Sequence, residues 1–108
     1  MRTIIPKTLL ITLFTAFCSS IVADEHVVSQ KGRQFSPPTV TVKVGESVIF
    51  VNDDIVRHNV FSLSKTLSFD LGTFPPGQSR KVVTVKLGVI DIECAIHPNM
   101  KMQIKVVK

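Results

Sequence analysis

The sequence predicts an all-β domain, a Greek-key β-sandwich of about seven to eight strands. Three observations carry this. Short runs rich in Val, Ile, Thr and Phe are separated by Gly, Pro, Asn and Asp at regular spacing, as in strands joined by tight turns. No stretch of helical length combines a 3.6-residue apolar period with helix-forming residues. Once an N-terminal segment is set aside, 85 of the 108 residues remain, a length that suits two packed layers around one core.

The elements follow in order. Residues 26–35 read as a first strand, ended by Pro37-Pro38. Residues 39–44, TVTVKV, alternate strictly, and Gly45-Glu46 turns the chain into a second β-rich run over 47–51. Asn52-Asp53-Asp54 is turn material, and residues 58–63 form the next strand. Residues 64–71 give no clear pattern and accommodate a short helix or turn near 65–70, while 72–77, GTFPPG, read as a loop. Residues 79–87 alternate loosely, Gly88 breaks the run, and strands follow over 89–94 and Lys101–Val107.

The first 23 residues are of a different kind. Arg2 and Lys7 precede a short apolar run, and Ser19, Ser20 and Ala23 lead to an abrupt polar shift at Asp24-Glu25. This is the pattern of a secretory signal peptide cleaved after Ala23, leaving a single domain over residues 24–108 and a periplasmic destination. The apolar run falls short of the roughly 20 residues that span a bilayer, so no span is expected in the mature form; a retained, tilted anchor is the alternative. The bulky Phe17 before Cys18 argues against lipid attachment there.

Removal of this segment takes Arg2 and Lys7 with it. Basic residues fall from 13 to 11 against 8 acidic ones, a formal charge of +3 that is scattered along the chain. Without a basic block, and without Tyr or Trp for base stacking, nucleic-acid binding is excluded as a reading. Cys18 also leaves, so Cys94 is the only mature cysteine and no internal disulfide can form. A lone thiol in an oxidising compartment needs burial or a bound partner.

That partner is suggested by residues 91–102, DIECAIHPNMKM, which place Cys94, His97 and Met100 at intervals of three. Cys94 shares the inward parity of Ile90 and Ile92 and ends a strand, and in a tight loop shaped by Pro98 residues three apart converge on one point. Thiolate, imidazole and thioether are soft donors that select copper over magnesium, calcium or manganese. A fourth donor is His58, 36 residues before Cys94 where the chain reverses into a new strand; a sandwich brings two such loops together at one end. His58, Cys94, His97 and Met100 then supply two imidazoles, one thiolate and a weak axial thioether, the donor set of electron-transfer copper sites. Strand parity does not separate Met100 from Met102; the compact Pro98-Asn99 turn favours Met100 as the loop's closing residue. His26, at the start of the mature chain, is read as a surface residue.

On these residues the chain resembles the cupredoxins, the small blue copper proteins, and is most similar to their plastocyanin and amicyanin branch. Residues 35–45 match an FxPxxxxVxxG stretch. Residues 48–59, VIFVNDDIVRHN, match the strand, turn and first ligand, Gly77 matches a turn glycine, and 88–100 match the last strand and ligand loop. The short Cys-x-x-His-x-x-Met loop is closest to the amicyanin form. The resemblance implies one copper ion of the type 1 class, held by ring nitrogens of His58 and His97 and a short Cys94 thiolate bond, with Met100 axial. It also implies that Asn59 ties the two ligand loops together and donates near the cysteine sulfur. The chain departs from plastocyanins where Ile90, Ile92 and Glu93 replace aromatic residues before the copper cysteine, and where no acidic patch is present.

The expected function is single-electron transfer by an exported monomer. With no carboxylate pair beside the ligands for proton chemistry, catalysis is not expected. Electrons would pass through the solvent-facing edge of His97, with Ile96 and Pro98 as a small docking surface for transient redox partners, and the scattered lysines slightly favour acidic ones. The rival is a copper accessory, carrier or buffering protein without a redox circuit, which would use the same ligands.

Overall fold

The computed structural model describes residues 24–108; the signal-peptide reading falls on residues 1–23, outside them. The described residues form nine strands: β1 (Glu25–Lys31), β2 (Gln34–Ser36), β3 (Thr39–Lys43), β4 (Ser47–Asn52), β5 (His58–Ser62), β6 (Phe69–Phe74), β7 (Ser79–Val83), β8 (Gly88–Glu93) and β9 (Lys101–Val107). They build two sheets, ordered β2-β1-β4-β7 and β3-β9-β8-β5-β6. The all-β sandwich is as the sequence implies.

Alternation sets which face each strand buries. In β9, Met102, Ile104 and Val106 point inward and their neighbours outward; in β8, Ile90 and Ile92 do the same, which carries Cys94 inward at the strand's end. Val28, Val48 and Phe50 cover these residues from the other sheet. Phe50 is fully buried and meets Phe35 edge-on at 6.1 Å. Phe50→Ala is therefore expected to destabilise the domain by about 3–5 kcal/mol, read as a lower denaturation midpoint in urea.

Three elements differ from the sequence reading, each for a local reason. The first run is split: Gly32 and Arg33 take positive φ of 61° and 57°, turning β1 back into β2 with Ser29 opposite Ser36. Residues 69–74 are a strand, not a turn and loop. β6 is an edge strand whose Phe69, Leu71 and Phe74 pack inward, and its alternation is masked by Gly72 and by a register shift between Asn59 and Phe61 on β5. No helix forms among the described residues. β7 stops at Val83 because Thr84 leaves the ladder: its amide bonds to Glu46 O at 3.0 Å, and its buried hydroxyl donates to the carbonyls of Lys43 and Glu46.

At one end of the five-stranded sheet, the start of β5, the end of β8 and the start of β9 lie together. His58 heads β5, Cys94 follows β8, and residues 95–100 bridge β8 to β9.

Candidate metal centre

The loop before β5 is built around one amide. Asn52, fully buried at the end of β4, donates from Nδ2 to Val56 O at 2.9 Å and Phe74 O at 3.1 Å, and accepts at Oδ1 from the Asp54 amide at 3.0 Å. This turn aims the Asp54 carboxylate back at His58, whose Nε2 lies 2.9 Å from Asp54 Oδ2. The His58 hydrogen bond and the Ile55 amide hold the Asp54 carboxyl down at about 2. An ionised carboxylate only accepts, so His58 Nε2 carries the hydrogen of this bond and Nδ1 is the ring atom left to face the site. That Nδ1 is buried and has no hydrogen-bond partner among the described residues.

The second loop is closed by backbone. The Cys94 amide bonds to Met100 O at 3.3 Å, and the Met100 amide to His97 O at 2.9 Å. Cys94 is a free, buried cysteine whose Sγ accepts the Asn59 amide at 3.3 Å. Asn59 stitches the site together: Oδ1 accepts the Ala95 amide at 3.1 Å, and Nδ2 donates to Asp70 Oδ1 at 2.9 Å. The Gly72 amide and Asn59 together hold Asp70 below the ordinary carboxylate range.

The structure brings three of the four expected donors to one point. Ligand atoms of His58, Cys94 and His97 all lie within 4.8 Å of one another. The His58 and His97 rings are 4.9 Å apart, and His97 Nδ1 is 3.9 Å from Cys94 Sγ. Burial, then His58 and Arg33, push the His97 imidazole below its usual value, favouring the neutral, ligating form. Met100 is buried where the loop closes and shares a cavity wall with His97; Met102 is buried one strand position on, opposite Ile92 in the core.

The donor chemistry fits copper. A buried thiol, a buried imidazole and a half-buried one converge, Met100 lines a cavity with the latter, and one imidazole presents an unused ring nitrogen. Two contributors were not legible in the sequence. Asp54 was read only as turn material, though its position four residues before His58 was the available signal. Ile55, 92% exposed on the same loop, also escaped notice. His26, read as a surface residue, is half-buried against Glu46 at 3.3 Å and lies away from the centre.

Residues 22–107 match the model of the copper binding proteins of the plastocyanin/azurin family. The methylamine utilization protein MauL of Methylorubrum extorquens is 28% identical over 85% of this chain and 82% of its own length. An amicyanin of Paracoccus versutus is 28% identical over 77% of this chain and 65% of its own, just under two thirds. Among solved structures, a Cu(I) form of an amicyanin mutant superposes with a TM-score of 0.73 at 25% identity, over 81% of this chain and 87% of that one.

Proposed function

Because this chain belongs to the plastocyanin/azurin family of copper-binding proteins, we propose that it carries single electrons between redox partners, with copper held by His58, Cys94, His97 and Met100. The observation that carries this reading is the convergence of the three donor atoms within 4.8 Å, with His58 Nδ1 unpartnered. Copper bound there supplies a one-electron Cu(I)/Cu(II) couple and no further chemistry.

The chain's own residues supply everything else. Asp54 fixes the His58 tautomer and ring orientation. The Asn59 amide partly offsets the charge on the Cys94 thiolate. The paired backbone bonds of the 94–100 loop, anchored on β8 and β9, keep the donors in one geometry, which limits rearrangement when the charge changes. No proton needs to move, and the nearby carboxylates are committed, Asp54 to His58 and Asp70 to Asn59, so the site suits electron carriage rather than catalysis.

The route for the electron is the half-buried edge of His97, flanked by exposed Ile96 and Pro98. Arg33 lies beside His97, and exposed Arg57 directly precedes His58. An apolar contact rimmed by two arginines suits an acidic partner met briefly through a small interface. Residues 1–23, read as a signal peptide, support a periplasmic destination. The rival reading is copper delivery by the same ligands. Against it, Cys94 and Met100 are each only 1% exposed, a poor arrangement for handing copper over.

Stopped-flow oxidation by an anionic metal complex tests the docking surface. The rate for copper-loaded protein is expected to fall with ionic strength, and Arg33→Glu/Arg57→Glu to slow it by about tenfold at low salt. A rate insensitive to both would remove the acidic-partner reading.

A further inference from the structure

The end of the sandwich remote from the donors has its own pattern. Three chain segments meet there: the turn after β3, the segment after β7 and the C-terminus. Lys43 lies opposite Val107 in the parallel β3–β9 register, and the Val44 amide bonds to Val107 O at 2.8 Å. The Gly45 amide bonds to Thr84 O at 2.9 Å, which seats residues 84–87 beside the same turn. Gly88 opposite Val106 then brings Leu87 next to Val107.

Each segment pairs an exposed aliphatic residue with an exposed lysine: Lys43-Val44, Val85-Lys86-Leu87 and Val107-Lys108. The four aliphatics are between 43% and 67% exposed, although a sandwich of this size has a core that could bury them. Among the described residues, none of these three lysines is paired with a carboxylate; the lysines that are paired are Lys81 and Lys101. Of the acidic groups nearby, Glu25 is engaged by Lys81 and Glu46 by His26 and the Lys43 amide, which leaves exposed Asp24 as one carboxylate against the three lysines.

We propose that this end of the molecule docks onto an anionic phospholipid surface. Lysines interleaved with single aliphatic side chains fit a bilayer, where the side-chain stems lie along the acyl boundary and the ammonium groups reach the phosphates. A protein interface would be expected to concentrate aromatic residues and arginine and to be poor in lysine; this face has the opposite composition. The first described residue also lies here, since Ser47 N bonds to Asp24 O at 3.3 Å. Strand β8 alone, six residues long, separates this end from Cys94 by roughly 20 Å. A protein seated this way turns His97 away from the bilayer, towards soluble partners.

Flotation of the copper-loaded protein with vesicles of phosphatidylcholine, with and without phosphatidylglycerol, tests the assignment. Every variant keeps the wild-type N-terminus, so that the contribution of residues 1–23 is common to all. Binding is expected only with phosphatidylglycerol, to weaken with salt, and to fall at least about tenfold in both Lys43→Glu/Lys86→Glu and Val85→Ser/Leu87→Ser. The copper absorption of both variants should stay at wild-type strength, which separates lost docking from lost folding and from failure of the electron-carrier reading. Absence of binding, equal binding to both vesicle types, unaltered binding by the variants, or a concentration-dependent dimer abolished by the same substitutions would overturn the proposal.

Discussion

Replacing Cys94 by Ser in the copper-loaded protein is expected to abolish intense red absorption and to weaken copper binding by more than the roughly 100-fold that loss of a ligand-supporting residue costs. The reason is both chemical and positional. Cys94 is the one thiol among the described residues, it is buried, and its sulfur lies 3.9 Å from His97 Nδ1. A serine hydroxyl is a hard, weakly acidic donor that stays protonated where a thiol ionises, so the charge-balancing ligand is lost outright. The substitution also leaves the Asn59 amide without the sulfur acceptor it holds at 3.3 Å. A chelator-competition titration read alongside the visible spectrum checks the result. Met102→Ala is expected to keep the absorption, because Met102 sits in the core opposite Ile92, whereas Met100→Ala should keep the colour and shift the reduction potential. A Cys94→Ser protein with a wild-type spectrum would remove the thiolate from the site.

The second large effect is expected from a residue that holds no metal. Asp54→Ala should weaken copper binding by about 10–100-fold. Without the carboxylate at 2.9 Å, the His58 ring loses the acceptor that keeps its proton on Nε2, and the tautomer protonated on Nδ1 competes with ligation. The backbone should survive, since Asn52 still holds Val56 and Phe74 through its own amide. Asp54→Asn supplies the control, because an amide oxygen at the same place accepts from Nε2 and should restore most of the affinity. Equal affinity in wild type and Asp54→Ala would show that the carboxylate does not position the ring.

The uneven legibility of the sequence has a physical basis. Cys94, His97 and Met100 were readable because a single tight loop carries all three, and inward parity fixes Cys94 from Ile90 and Ile92. His58 required only that a sandwich closes two loops at one end. Asp54 was hidden because Asn-Asp-Asp is ordinary turn chemistry, and only the fold of the Asn52 turn aims the last carboxylate at an imidazole. β6 is hidden because the register shift against β5 leaves Gly72 and Thr73 both exposed before Phe74 turns inward, which breaks the alternation that a one-faced strand would otherwise show. The split of the first strand rests on positive φ at Arg33, a non-glycine residue that gives no warning of it. Donor spacing and strand parity are legible; the backbone turns that aim Asp54 and reverse the chain at Arg33 are not.

The central claim is that this centre passes one electron reversibly while keeping its copper. Redox titration of the copper-loaded protein, followed by red absorption with copper content measured after each cycle, tests it directly. The expected result is intense absorption in the oxidised form, a single reversible one-electron transition, and stoichiometric copper retained through repeated cycles. A protein that stays colourless with stoichiometric copper bound, or that releases copper on reduction, would contradict electron carriage.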